Sequence, residues 1–282
     1  MHFGKLEGTL VRSFVPTVAA LALILSAATL HAAPAGQLRP TSKWIVDYRD
    51  DGCVLQRTYG AASAPLTFGI KPQLMGSRVA LLVTENGTGG HKLRVPVTVS
   101  FGTDSGAVTN QLSRFRLRSP PVHLNETSIE MNELKRAIVT ERIDLKSPGT
   151  IDVRLAVPGI GRALPALEEC IAELLDRWGL SRLEQAQLAS FARPRGGQLH
   201  ISMADYPGNA VEYDASGGTA ARVKVAPDGK ASDCQIVATS KSKSLDQATC
   251  KVLLRERYEP AVSKAGGPVA SVYIQIVRWV LL

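Results

Sequence analysis

The sequence has few of the residue types from which catalytic and metal sites are built. Only four cysteines and five histidines occur among 282 residues, and no two cysteines form a CxxC pair. Neither GxSxG nor HExxH occurs, and no glycine-rich loop has the spacing that binds phosphate. Beyond the N-terminal segment the histidines are His91, His123 and His200, which lack metal-ligand spacing. The sequence therefore predicts no enzyme, no cofactor and no metal site.

Clustered positive charge is also missing. The formal net charge is +8, but the lysines and arginines are scattered singly and aromatic residues make up only 5% of the chain. Nucleic-acid-binding surfaces combine clustered basic residues with interleaved aromatic ones. We therefore expect a solvated basic surface and no nucleic-acid partner.

The first 35 residues have the pattern of a secretory signal peptide. Lys5 and Arg12 form a positive n-region, residues 14–30 form an apolar h-region, and Ala33 and Ala35 supply small residues before a cleavage point. The apolar stretch is short for a membrane span. We expect cleavage and export, and the alternative is an uncleaved anchor in the inner membrane.

All four cysteines follow this export signal, in a compartment where disulfides form. Three pairings are available. The local one, Cys53 with Cys170 and Cys234 with Cys250, would keep each bridge inside one domain. The cysteines are interpreted as structural disulfides, not as nucleophiles or ligands.

Residues 40–180 predict a mostly-β domain closed by an amphipathic helix, with a ligand that the sequence does not identify. Turn clusters separate short segments of alternating apolar residues. A short helix is expected at 128–137, and a stronger one at 163–178, where apolar residues form one stripe. The segment 114–118 predicts a strand whose three arginines face solvent, and anion binding by them is the alternative. The predicted strands are Leu66–Ile70, Val79–Val83, Val95–Val99, Arg114–Arg118 and Ile151–Leu155.

Residues 181–204 are expected to form a linker, and residues 205–282 a second, smaller domain. There, Asp228-Gly229 predicts a tight turn between two alternating strands. Ser244 and Gln247 have the spacing of a capping box at the start of a helix, and a final alternating strand ends the chain. The whole chain is therefore predicted to be α+β, with a β-rich domain followed by a β–β–α–β domain.

The C-terminal segment resembles the TonB C-terminal domain family, over about residues 205–279. The resemblance depends on the order and spacing of several short motifs, each of them weak alone. They are Asp205-Tyr206-Pro207, Val223-Lys224-Val225-Ala226-Pro227-Asp228-Gly229, Ser244-Leu245-Asp246, Arg257-Tyr258-Glu259-Pro260-Ala261, Gly267-Pro268-Val269 and Arg278-Trp279.

This resemblance implies a periplasmic binding protein that engages an outer-membrane receptor, or another periplasmic protein, by strand addition. In the family the last strand is the edge that an extended segment of the receptor joins. By position that edge is residues 269–277, with Tyr273 and Gln275 expected to be exposed. A purely structural edge, or pairing with a second copy in a homodimer, is the alternative. The implied edge residues are Val269, Ser271, Tyr273, Gln275 and Val277.

Two departures from the family bear on function. Energy transducers of this family keep an N-terminal membrane helix and have a long Pro-rich spacer, whereas here the leader looks cleavable and a β domain replaces the spacer. The pair Cys234 and Cys250 is similar to that of an exported subset of TonB-like proteins. A membrane-anchored energy transducer is therefore an alternative, and an exported enzyme housed in residues 40–180 is another.

Overall fold

A nine-stranded antiparallel sheet forms the first half of the fold. The computed structural model describes residues 36–87, 94–102, 106–118 and 121–280; the expected signal peptide and His91 lie outside these ranges. The spatial order of the strands is β1-β2-β3-β4-β7-β6-β5-β8-β9, and every strand predicted within residues 40–180 lies within an observed one. The strands are β1 (Ile45–Arg49), β2 (Gly52–Tyr59), β3 (Leu66–Pro72), β4 (Arg78–Asn86), β5 (Val95–Ser100), β6 (Val108–Arg118), β7 (Pro121–Glu130), β8 (Arg142–Ser147) and β9 (Ile151–Ala156).

The segment that precedes β1 connects the two sides of this sheet. The Leu38 amide donates to the Arg154 carbonyl of β9 at 2.7 Å, and the Thr41 amide donates to the Thr58 carbonyl of β2 at 2.8 Å. Strands β9 and β2 lie toward opposite ends of the strand order. Residues 38–41 can contact both strands only because the sheet is curved. The curved sheet encloses most of the apolar core on its concave side.

Two helices pack against this sheet. Helix α1 (Met131–Thr140) begins three residues later than predicted, because residues 128–130 continue β7 and pair with β4. Helix α2 (Ile160–Arg177) buries the predicted apolar stripe and contacts β1 and β2. Cys170 of α2 and Cys53 of β2 form a disulfide with a Cα–Cα distance of 6.2 Å.

The arginine-rich strand β6 differs from its prediction at Arg114. This residue follows the core residue Leu112 at a spacing of two, so both side chains point to the concave side. Only 17% of the Arg114 side chain is exposed, and it pairs with Glu85 at 3.0 Å. The expectation that the arginine face of this strand is solvated is therefore wrong for Arg114, although Arg116 is exposed.

The elements that follow α2 form a three-stranded sheet, two small ladders and several helices. In spatial order, the main C-terminal sheet is β13-β12-β17, and two small ladders are β10-β15-β16 and β11-β14. Residues expected to form a linker thus contribute two short strands to these ladders. The elements are α3 (Arg182–Ala186), β10 (Leu188–Ser190), β11 (Arg193–Pro194), a 3₁₀ helix (Met203–Asp205), α4 (Gly208–Glu212), β12 (Gly217–Val225), β13 (Ala231–Ala238), α5 (Lys243–Arg255), β14 (Tyr258–Glu259), β15 (Ala261–Ser263), β16 (Pro268–Val269) and β17 (Ser271–Trp279).

The C-terminal sheet shares its core with the nine-stranded sheet. Ile274 of β17, 3% exposed, belongs to the same buried cluster as the core of the first half. Polar contacts join the two halves as well: Arg222 Nη1 donates to the Trp178 carbonyl at 3.1 Å, and Arg278 lies 3.5 Å from Glu126 of β7. Residues 36–282 form one compact unit. None of the described helices is long and apolar enough to cross a membrane.

Candidate partner-binding edge

The hairpin of β12 and β13 closes through the predicted Asp-Gly turn. Gly229 has a φ of +80°, which favours glycine over residues with a side chain. The Ala226 amide donates to the Lys230 carbonyl at 2.9 Å, and Asp228 Oδ1 accepts from the Lys230 amide at 3.0 Å. A side chain at Gly229 would also clash with the Tyr258 carbonyl. The turn therefore requires glycine for its conformation and for its close contact with β14.

Asp246 organises the start of α5. Its Oδ1 accepts from the Ser240 amide at 2.9 Å, from Ser240 Oγ at 2.7 Å and from Thr219 Oγ1 at 3.0 Å, and its Oδ2 accepts from Thr239 Oγ1. Burial alone would raise the pKa of Asp246, but these hydrogen bonds outweigh it and hold the pKa below its ordinary value. The carboxylate thus joins β12, the β13–α5 connection and the helix.

The capping residue of α5 differs from the prediction. The helix begins at Lys243, so Ser242 precedes it and Ser244 lies in its first turn. No side chain caps its first amides in the way that the capping box predicts. Ser244 is therefore not the N-cap, because the helix is already entered at Ser242. The preceding Ser240 is fixed by its amide hydrogen bond to Asp246.

One face of β17 is buried against α5 and its neighbours. Trp279 packs edge-on against Tyr206 with ring centroids 5.4 Å apart, and Tyr273 packs against Tyr258 at 5.2 Å. Tyr273 is 6% exposed, and burial raises the pKa of its phenol. The expectation that the Tyr273 side chain is exposed is therefore wrong. Alternation places it on the helix-facing side of the strand, where Val277 is also buried.

The segment that begins the C-terminal module is hydrogen-bonded to helix α5. Asp205 Oδ2 accepts from Arg255 Nη2 of α5 at 3.0 Å, and it also accepts from the Ser202 amide at 2.8 Å. These bonds hold the pKa of Asp205 well below its usual range, the Arg255 hydrogen bond being the main cause. Residues 202–206 therefore form part of the folded module.

On the opposite face of β17, Ile274 is buried and Val272 and Ile276 are partly buried, which the sequence interpretation did not anticipate. Val272, Ile274 and Ile276 pack against the core that the nine-stranded sheet encloses. The sequence contains a signal for this burial, because large apolar residues occupy both alternating sets of the last strand. A strand that is apolar on both faces is typical of one that is covered on both sides.

The two outer strands of the C-terminal sheet differ in regularity. Strand β17 pairs with β12 over nine consecutive residues without a register shift. Strand β13 pairs with the other side of β12 through two register shifts, and its Asp233 has a φ of +53°. Bulges of this kind protect an edge from pairing with another chain. Within the part of the chain that the structure describes, β17 is a regular edge with one strand neighbour.

The predicted edge residues divide into three groups. Val269 is not in the last strand, since it lies in β16 and pairs with Ala261. Ser271 and Gln275 are partly exposed in β17, whereas Tyr273 and Val277 are buried. Gln275 Nε2 donates to the carbonyl of the next residue, Ile276, at 2.8 Å, and its Oε1 accepts from the Tyr273 hydroxyl.

The second disulfide joins the less regular edge to the helix. Cys234 of β13 and Cys250 of α5 are bonded, with a Cα–Cα distance of 5.6 Å. Both bridges follow the local pairing among the three that the sequence leaves open. Because the second bridge fixes the helix against β13, it stabilises the β–β–α arrangement on which β17 packs.

The arrangement around β17 is suited to main-chain recognition. Within the described ranges, no group of three or more His, Cys, Asp or Glu side chains is placed to hold a metal ion. An edge strand presents amide donors and carbonyl acceptors at a regular spacing, and an extended peptide can complete that ladder. The C-terminal module is thus a three-stranded antiparallel sheet backed by one helix, with β17 as its regular edge.

Comparison with known protein families identifies the family of the C-terminal module. Residues 203–281 match the family model described as the Gram-negative bacterial TonB protein C-terminal, so this segment is a TonB C-terminal domain, as the resemblance predicted. Domains of this family are non-enzymatic and interact with outer-membrane receptors. The chain matches no curated protein.

Proposed function

We propose that this chain is a periplasmic TonB-like protein whose C-terminal module engages an outer-membrane receptor, or another periplasmic partner, by strand addition along β17. The observation that supports this most directly is the regular register of β17 with β12 over nine residues, beside an edge that has no second strand among the described residues. The TonB C-terminal domain links the protein to transport across the cell envelope.

The contrast between the two edges supports β17 over β13. A partner strand must form hydrogen bonds at every second residue, and a register shift interrupts that pattern. In β13 the shift near Asp233 breaks the ladder, while β17 is continuous. Selectivity would then come from Gln275, which is partly exposed although it shares a face of the strand with the buried Tyr273 and Val277.

A peptide-binding experiment on the chain from residue 36 onward tests this proposal. A displayed library of extended peptides of about ten residues, enough to span the strand at ~3.3 Å per residue, is screened, and binders are resynthesised. On binding, alternate amides of β17 are expected to exchange more slowly with solvent, while those of β13 are unchanged. Peptides with N-methyl groups at alternate residues keep their side chains but lose main-chain donors, so they serve as matched controls.

The outcomes of this experiment are distinct. Slower exchange in β17 that the N-methylated peptides do not produce supports strand addition. Protection of the same amides by a second copy, detected as a concentration-dependent dimer in sedimentation, would assign the edge to homodimer formation instead. A library without binders, or binders that protect β13 alone, would contradict the proposal.

Localisation is tested by the N-terminus of the protein purified from cells. We propose that residues 1–35 are a cleaved signal peptide, because the segment has a basic n-region, an apolar h-region and small residues at Ala33 and Ala35. The mature chain is then expected to begin at Gly36. A chain that still begins at Met1 and remains with the inner membrane would support the anchored transducer.

A further inference from the structure

The two disulfides of the chain differ in burial. Cys53 and Cys170 are each 1% exposed and belong to the core cluster of the nine-stranded sheet. Cys234 and Cys250 are both partly exposed. Because reduction requires a thiolate to reach one of the two sulfur atoms, burial shields the first bridge. The second bridge lies at the surface of the folded chain.

Cys234 belongs to a bulge of the outer strand β13. Arg222 and Lys224 of β12 have one residue between them. Their partners on β13 have two residues between them, Asp233 and Cys234. The extra residue in a bulge interrupts the ladder and bends the strand that carries it. Cys234 therefore lies in an irregular stretch of a strand that has one strand neighbour among the described residues.

Cys250 lies at the border between the buried and the exposed sides of α5. Thr249, the residue before it, is 0% exposed. Gln247 and Leu254, three residues before and four residues after Cys250, are both exposed. Positions three or four apart share a side of a helix, so Cys250 belongs to the side that adjoins solvent. The second bridge thus crosses the rim of the interface between α5 and β13.

Helix α5 is held in place by contacts other than this bridge. Its first turn is bound to β12 through Asp246, at 3.0 Å, and its middle is bound to β17 through Thr249, at 2.9 Å. Its last turn is bound to the segment 202–206 through Arg255, at 3.0 Å. Because these contacts reach elements other than β13, the helix is expected to keep its position when the bridge opens.

We propose that Cys234 and Cys250 form a thiol–disulfide exchange site, which a dithiol reductant opens and an oxidant closes in the folded protein. The Cys53–Cys170 bridge stays closed under the same conditions. Exposed disulfides are in general the labile ones, whereas structural disulfides resist reduction. The bulge at Cys234, the border position of Cys250 and the independent contacts of α5 together carry this assignment.

The exchange transfers two electrons and two protons from the dithiol to the protein. A thiolate of the reductant attacks one sulfur atom of the bridge and forms a mixed disulfide with it. The S–S bond of the bridge breaks, and the other cysteine leaves as a thiolate that takes up a proton. The second thiol of the reductant then attacks the mixed disulfide and releases the remaining cysteine, which is protonated in turn. The protein is left with two thiols and the reductant with one disulfide.

Opening of the bridge is expected to affect one side of the C-terminal module. In the open form β13 loses its covalent connection to α5 and is held by packing and by an interrupted ladder with β12. Strand β17 pairs with β12 over nine residues without a register shift. We therefore expect amides of β13 to exchange faster with solvent after reduction, while amides of β17 are unchanged. This result does not depend on peptide binding at β17.

Limited reduction of the mature chain, residues 36–282, tests the proposal. The oxidised protein is treated with dithiothreitol, samples are alkylated at intervals, and peptide mapping gives the reduced fraction of each bridge. The Cys234–Cys250 bridge is expected to open at least about tenfold faster, because the buried bridge reacts only when the fold opens. A parallel series with reduced thioredoxin distinguishes a protein dithiol from a small one, and reduction by either reagent supports the proposal.

Two single-cysteine variants form a matched pair. Cys234→Ser leaves Cys250 as a free thiol at the surface, and Cys53→Ser leaves Cys170 as a free thiol in the core. In the folded chain, Cys250 is expected to react with an aromatic disulfide reagent at least about tenfold faster than Cys170, because burial blocks the approach. In urea that unfolds both variants the two rates should become similar, which shows that the fold causes the difference.

Three results would overturn the proposal. The first is simultaneous reduction of both bridges, which would mean that each opens only on global unfolding. The second is earlier reduction of the Cys53–Cys170 bridge. The third is loss of the cooperative urea transition once the Cys234–Cys250 bridge alone is open, since that bridge would then be a structural one.

Discussion

Trp279 Nε1 donates a hydrogen bond of 2.9 Å to Thr249 Oγ1, which fixes the end of the last strand to helix α5. The threonine hydroxyl in turn donates to the Leu245 carbonyl one turn earlier, also at 2.9 Å. Both side chains are buried, with Thr249 at 0% and Trp279 at 3% exposure. The position of the proposed binding edge therefore depends on a polar contact inside the module.

Replacing Thr249 tests this contact. Thr249→Val keeps the shape of the side chain but leaves the Trp279 indole N–H buried without an acceptor, so we expect a loss of about 1–3 kcal/mol in the free energy of unfolding. Urea unfolding followed by tryptophan fluorescence measures the change. Thr249→Ser keeps the hydroxyl and serves as the control. Equal stability of the valine and serine variants would contradict the role of this hydrogen bond.

The Asp246 network predicts a defined dependence on pH. Because its pKa is lowered in the folded protein, the carboxylate stabilises the fold above its unfolded pKa of about 3.9, and that contribution is lost as the pH falls below this value. Asp246→Asn is expected to cost about 1–3 kcal/mol at neutral pH. The stability difference from the unchanged chain should shrink below about pH 4.

Urea unfolding at a series of pH values measures this difference. Asp152→Asn, at an exposed position of β9, is the matched control and is expected to change stability by less than about 0.5 kcal/mol. A cost of Asp246→Asn that stays constant from neutral pH to pH 3 would show that the charge of the carboxylate has no part in the network.

Loss of the two disulfides is expected to have unequal effects. The Cys53–Cys170 bridge spans 117 residues and the Cys234–Cys250 bridge spans 16. On the chain-entropy account, loops of about 100 and about 15 residues contribute about 4.7 and about 3 kcal/mol. Replacing Cys53 and Cys170 by serine should therefore lower the melting temperature more than replacing Cys234 and Cys250.

Peptide mapping without reduction provides the control for this comparison, because each double variant should keep the other bridge intact. A larger loss of thermal stability on removal of Cys234 and Cys250 would mean that strain or residual structure, not loop length, determines the effect.

Ile274 tests whether the two sheets share one cooperative core. This residue of β17 belongs to the cluster that the nine-stranded sheet encloses, so Ile274→Ala is expected to cost about 2–5 kcal/mol. Ile236→Ala is the matched control, since Ile236 lies in the same sheet but is 37% exposed. Amide signals of β3 and β12 should disappear at the same urea concentration. Separate transitions would show that the halves unfold independently.

Local features of the C-terminal module were predictable from the sequence. The Asp228-Gly229 turn, the alternating strands on either side and the helix near Leu245 all depend on neighbours a few residues away. The same is true of most strands in residues 40–180. The exact start of α5 was not predictable, because Ser244 and Gln247 have the spacing of a capping box, yet the helix begins at Lys243 without a side-chain cap.

Exposure of the last strand was harder to predict. Tyr273 and Gln275 lie on the same face of the strand, so periodicity predicts the same exposure for both. Only the packing of Tyr258 and α5 determines that the tyrosine is buried while the glutamine is partly exposed. Arg114 shows the same difficulty. Its neighbours in the sequence are charged, but a partner at Glu85, on a different strand, keeps it inside the curved sheet.

The sequence by itself therefore determined the mostly-β character, the order of strands and helix in the C-terminal module, and its TonB family, because these depend on periodicity and on short motifs. Only the tertiary structure decided which cysteines pair, that β17 rather than β13 is the regular edge, and that Ile274 of β17 is buried in the same cluster as the core of the nine-stranded sheet. Each of these depends on contacts between residues far apart in the chain, which periodicity along one strand does not specify.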